Sequence, residues 1–164
     1  MDFLDIKTND LIIKSASSKL NLDDLLFHIR KANDNGFVQI FDPDHVINRT
    51  HLIGAYVNSL ASFNEGTNKT DGAAMEMLLF AAMTDQIDRA ISIVGAKTTS
   101  DFVVFSNSTL AFNKIKPFLS VHSDFKADPS HVKKVAKALG VKTDGNDIDS
   151  FILERIALSR LGSD

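Results

Sequence analysis

The stretch AAMEMLLFAAM, Ala73 to Met83, carries a single charged residue, Glu76, inside an otherwise apolar run. It is far shorter than the roughly 20 apolar residues that cross a bilayer, so it reads as core material of a globular fold. The next stretch, DQIDRAISIVGAK, is a two-faced helix. Ile87, Ala90, Ile91 and Val94 fall at i, i+3, i+4 and i+7, and Gly95 is the stop signal.

The rest of the chain alternates short strands with capped helices. Asp10–Ser17, Phe37–Phe41 and Asp101–Phe105 have the β-branched and aromatic content of strands. Asn21 is placed to cap a helix with Asp23 and Asp24 in its first turn and Gly36 beyond its end. Asp42 and Pro43 have the cap-then-proline order of another helix start. A longer helix then presents Leu52, Ile53, Tyr56, Leu60 and Phe63 on one face. Asp128, Pro129 and Gly140 bracket a further helix, and Ile148 to Leu161 forms the last. Few strands, many helices and no strict βαβ alternation give an α+β or mixed α/β class. A small β-sheet surrounded by several helices, with a C-terminal helix, is expected.

With 164 residues the simplest organisation is one domain over 1–164. A formal net charge of -3 argues against indiscriminate nucleic-acid binding but permits a local basic patch. There is no cysteine, hence no disulfide, thiolate nucleophile or cysteine metal site. The first ten residues lack the basic-then-apolar order of a secretory signal, and no membrane association is expected. In that setting the glycosylation-like triplets at Asn48, Asn68 and Asn107 are read as chance.

Catalytic patterns are missing. No glycine-rich phosphate loop, nucleophile elbow or H-E-x-x-H spacing occurs. Asp42, Asp44 and His45 are the nearest approach to a metal trio, and a capped helix start explains them more simply. Glu76 is a candidate general acid if burial raises its pKa. The competing reading pairs it with a backbone donor or a basic residue at one edge of the core. Gln86 is read as a packing or hydrogen-bonding residue. No catalytic, cofactor-binding or metal-binding residue is assigned.

Two surfaces stand out. In HVKKVAKALG, Val132, Val135, Ala136 and Leu139 share one side of a helix, and Lys133, Lys134 and Lys137 the other. Such a face is either simply solvated or a contact for phosphates. In the last helix Ile148, Phe151, Ile152, Leu153, Ile156, Leu158 and Leu161 spread round most of the wheel. A helix apolar all round needs cover all round, from its own domain alone or partly from a partner chain.

The order HLIGAYVNSLASFNEG, MEMLLFAAMTDQIDRAISIVGAK and DGNDIDSFILERIALSRL resembles the small regulatory subunit of the KEOPS complex, the TPRKB (PRPK-binding protein) family. The family pattern is a His-Leu helix ending in Phe-x-x-Gly, a Glu-x-Leu-Leu helix, a Gln-Ile-x-x-Ala helix ending in Gly and a C-terminal Leu-Glu-Arg helix. His51, Leu52, Phe63, Gly66, Glu76, Leu78, Leu79, Gln86, Ile87, Ala90, Gly95, Leu153, Glu154 and Arg155 match. One departure is Met83-Thr84-Asp85, where the family often has a Gly-x-x segment.

The resemblance implies a non-catalytic, cytoplasmic subunit without a cofactor. It would bind the N-lobe of a small atypical kinase/ATPase and, through it, join the transferase that makes threonylcarbamoyladenosine in tRNA. It would also help to hold tRNA, including its CCA end. On this reading Ile148, Ile152 and Ile156 face the domain's own core. Phe151, Leu158 and Leu161 face the kinase, with Arg155 and Arg160 as charged rim, and Lys133, Lys134 and Lys137 contact tRNA. An autonomous RNA-binding protein, or a hydrolase using Glu76 or Asp42, Asp44 and His45, are the alternatives.

Overall fold

The computed structural model describes residues 10–34, 36–145 and 147–160. In chain order these form β1 (Ile12–Ser17), α1 (Leu22–Ala32), β2 (Val38–Phe41), α2 (Arg49–Glu65), α3 (Ala73–Ala82) and α4 (Ile87–Val94). Then come β3 (Phe102–Ser106), α5 (Thr109–Ile115), β4 (Ser120–Asp124), α6 (Pro129–Ala138) and α7 (Ile148–Leu158). Short 3₁₀ turns occupy Pro43–His45 and Lys116–Phe118. The α+β class read from the sequence holds. The protein divides into two compact units, each made of two separated stretches: residues 1–43 with 96–125, and 44–95 with 126–164.

The first unit contains the sheet, which is antiparallel throughout in the order β2-β3-β1-β4. All five residues of the central β3 are buried, as expected of a strand with apolar side chains on both faces. Phe102 and Val104 join Ala16, Val38 and Ile40 in one cluster, against which Leu25, Ile29 and Ala32 of α1 and Ala111, Phe112 and Ile115 of α5 pack. Asn21 caps α1 by accepting from the Asp24 N–H at 2.8 Å, as its sequence position predicts. The edge strand β4 was not legible as a strand, because all five of its residues are exposed and only one is apolar.

The second unit is helical. α3 lies against α2 and α4, and α7 also packs on α2. Every residue from Glu76 to Ala82 is buried, which is where a helix with one charged residue in an apolar run must go. α2 differs from the expected stripe. Its fully covered positions include Gly54, Ala55, Ser59 and Ser62, while Ile53, Leu60 and Phe63 are half-buried. Small residues permit close helix approach. A Cβ on Gly54 would stand 2.8 Å from Leu153 Cδ2 and 3.1 Å from Ile156 Cδ1 of α7.

Two helix ends explain two family motifs. Gly66 closes α2 in the left-handed conformation (φ 70°), its N–H reaching Phe63 O and Ser62 O, while Thr67 N–H donates to Ser62 O at 2.8 Å. Gly95 ends α4 with extended backbone instead (φ −65°), and there a Cβ would lie 2.6 Å from Ile91 O. Pro43 does start a helical turn, but the long helix begins later, with Asn48 as its cap accepting from His51 N–H.

Candidate functional site

α7 is fixed from both ends. Asp147 caps it, accepting from the Ser150 hydroxyl at 2.7 Å and the Ser150 N–H at 3.2 Å, and these bonds hold its carboxyl below the usual range. In the first turn Asp149 Oδ1 accepts from Asn48 Nδ2 at 2.9 Å, tying α7 to the start of α2. Ile152 and Ile156 are fully buried, as the inner-stripe reading requires, whereas Ile148 is half-buried. At the far end Arg160 turns inward. Its Nη2 lies 2.6 Å from Glu76 Oε1, and its guanidinium sits over the Phe80 ring, 4.2 Å from the centroid. The rim position expected for Arg160 is therefore replaced by a structural one.

Among the described residues, the opposite side of α7 stands open. Leu158 is 48% exposed. Phe151 and Arg155 are half-buried and, with Leu158, Glu154 and the Gly140–Lys142 turn after α6, line a shallow depression. Phe151, Arg155 and Leu158, predicted from the sequence as one partner surface, are thus together on one surface. Leu161 lies outside the described residues. Leu153 is also exposed, at 43%, but it lies on the flank of α7 that faces α2, where its Cδ2 would stand 2.8 Å from a Cβ on Gly54.

Lys133, Lys134 and Lys137 are all exposed on α6, while Val135 and Ala136 of the same helix are buried. Asp128 caps α6 by accepting from His131 N–H at 2.8 Å, as expected. On α4, Ala90 and Val94 are buried but Ile87 and Ile91 are 43% and 46% exposed, so that helix is turned away from the orientation its apolar stripe suggests. Gln86, expected to pack or to hydrogen-bond, is exposed at the N-cap of α4 with no side-chain capping bond.

The candidate chemical groups serve the structure. Glu76 is fully buried, and its carboxylate accepts from the N–H groups of Lys69 (3.1 Å) and Thr70 (3.0 Å) and from the Thr70 hydroxyl (2.8 Å) in addition to pairing with Arg160. A carboxylate so occupied has no lone pair facing a substrate. Asp42 pairs with Lys97 at 3.8 Å and Asp44 is exposed. Among the described residues no three His, Cys, Asp or Glu side chains gather as metal ligands, and no helix is long and apolar enough to cross a membrane. The three glycosylation-like asparagines are also engaged. Asn48 caps α2, Asn68 Nδ2 donates to Thr70 O, and Asn107 Oδ1 accepts from Phe37 N–H.

A family model described as kinase binding protein CGI-121 matches residues 18–160. The chain belongs to that family. No curated protein matches it. In this CGI-121 family member the motif residues differ in burial. His51, Glu76, Leu78, Leu79 and Ala90 are buried framework, and Ile87, Leu153 and Glu154 are exposed. The departure from the family pattern also has a physical meaning. Met83 ends α3 in the left-handed conformation (φ 56°, ψ 42°), where glycine is at ease and a side chain is strained.

Proposed function

We propose that this chain is the non-catalytic regulatory subunit of a KEOPS-type complex. It docks on the complex's small kinase/ATPase through the outer face of α7 and so supports threonylcarbamoyladenosine formation in tRNA. The observation that carries this reading is Leu158, an apolar side chain left half in water on a helix whose other side is anchored by Ile152, Ile156 and Arg160. A rigid helix with an uncovered leucine suits a preformed docking surface, because little ordering entropy is lost on binding. Phe151 and Leu158 supply the apolar anchor and Arg155 the charged rim, which sets orientation more than affinity.

On the same reading the exposed lysines 133, 134 and 137 contact tRNA phosphates, with the CCA end reached from this subunit. The transferase joins through the kinase, and the assembly works in the cytoplasm. The occupied state of Glu76 and the pairing of Asp42 with Lys97 favour this over a hydrolase. Calorimetric titration of the protein with the purified kinase tests the reading: saturable binding is expected, and no binding at tens of micromolar refutes it.

A further inference from the structure

Glu76 is held in place by the turn at Lys69 and Thr70 before any cation reaches it. Both backbone N–H groups and the Thr70 hydroxyl aim at its oxygens. Phe80 offers an aromatic face beside it, and the carbonyl of Thr67 lies 3.4 Å from Arg160 Nη1. These three features suit a guanidinium: a fixed carboxylate, a flat π surface and a carbonyl acceptor within reach of Nη1. The place is not sealed. A cleft of about 570 Å³ opens beside Arg160, lined also by Asn58, Ser62, Glu65, Lys69 and Phe80.

From this arrangement we infer that the cleft is a guanidinium receptor, filled in cis by Arg160 and open, when Arg160 leaves, to a small guanidinium from solution. Arg160 stands two residues beyond the end of α7, so occupancy of the receptor sets whether the last turn of that helix is docked. The inference does not depend on what binds the outer face of α7.

Chemical rescue in the full-length chain tests it. Arg160→Ala leaves the buried Glu76 without its cation and is expected to lower Tm by roughly 6 to 12 °C. It should also speed amide exchange in the last turn of α7. Ethylguanidinium chloride, at up to roughly 50 mM where the denaturing action of such salts is slight, should restore roughly 3 °C in a saturable manner. Ethylammonium chloride at the same concentration should restore nothing, since it brings charge without the planar fork. Adding Glu76→Gln to Arg160→Ala should abolish the rescue. If Arg160→Ala does not fold, refolding in ethylguanidinium but not in ethylammonium supports the receptor equally. An unchanged Tm for Arg160→Ala, equal effects of the two salts, or recovery with neither overturns it.

Discussion

His51 and Ala81 are joined by a hydrogen bond of 2.8 Å between the imidazole Nε2 and the backbone carbonyl, wholly inside the helical unit. The other ring nitrogen, Nδ1, accepts from Ile47 N–H at 3.0 Å. One nitrogen must accept, so the proton sits on Nε2 and the ring is neutral. A single side chain thus pins the turn before α2 to the end of α3.

The burial of that ring makes stability depend on pH. Burial pushes the His51 pKa from 6.5 down to about 4, against a smaller opposing pull from the Ala81 carbonyl. The unfolded chain takes up a proton near 6.5 and the folded chain holds it off until about 4, so acid favours unfolding across that window. The His51 contribution is complete above the unfolded value and fades as pH falls. Between about pH 7 and pH 5 the loss is about 2 kcal/mol, from the roughly 1.4 kcal/mol per pH unit that one proton carries. Urea unfolding at the two pH values checks it, with His51→Gln expected to remove most of the difference.

Met83 carries a preference opposite to that of a helix interior. At φ 56° alanine keeps the left-handed strain and glycine does not. Both substitutions lose the burial of the methionine side chain, which is 9% exposed. Met83→Gly should therefore be more stable than Met83→Ala by about 1 kcal/mol, although both fall below the parent. Thermal melts of the three proteins measure the order, and alanine above glycine would contradict the left-handed cap.

At Gly54 two effects compete. Alanine gains about 1 kcal/mol of helix propensity but brings its Cβ to 2.8 Å from Leu153 Cδ2. Leu153 is half in water and can swing aside, so Gly54→Ala should be near neutral. Leucine presses further onto the buried Ile156, whose Cδ1 an alanine Cβ already meets at 3.1 Å, and Gly54→Leu should cost about 2 kcal/mol by overpacking. Equal stabilities in urea titration would mean that α2 and α7 do not approach so closely.

The lysine face of α6 has its own test. Replacing Lys133, Lys134 and Lys137 with Glu leaves Val135 and Ala136 buried, so the fold should persist. If these lysines meet phosphates, tRNA affinity falls, and the log–log salt slope flattens by about 0.7 to 0.9 for each phosphate no longer neutralised. Gel-shift titrations across salt concentrations show this. An unchanged slope moves the tRNA-binding surface away from α6.

The legible parts of this fold are those governed by neighbours in sequence. The caps at Asn21 and Asp128, the fully buried β3 and the inner stripe of α7 could be read because period and capping chemistry are local. The strand β4 could not, since Ser120 to Asp124 lack an apolar alternation. α5 also passed unread, though Ser108 caps it by accepting from Ala111 N–H and Phe112 and Ile115 form its inner face. A seven-residue helix leaves too short a pattern. The burial of Glu76 was expected to require a partner, but its identity depends on α7 bringing Arg160 back to α3, a tertiary fact. For α4 the stripe was visible, yet which edge of it is covered depends on the neighbouring helix.

The central claim is that α7 has an inner face for its own domain and an outer face for a kinase. Placing a charge on each face separates the two. Leu158→Glu should abolish micromolar kinase binding, because a desolvated, unpaired carboxylate at an interface costs on the order of several kcal/mol. Its Tm should stay within about 2 °C of the parent, since Leu158 already stands half in water. Ile152→Glu buries a charge in the core and should unfold the helical unit. Calorimetric titration of Leu158→Glu with the purified kinase, beside a thermal melt of the same sample, is the most direct measurement. Lost binding with an intact melt is the predicted result; normal binding by a folded Leu158→Glu would contradict the account.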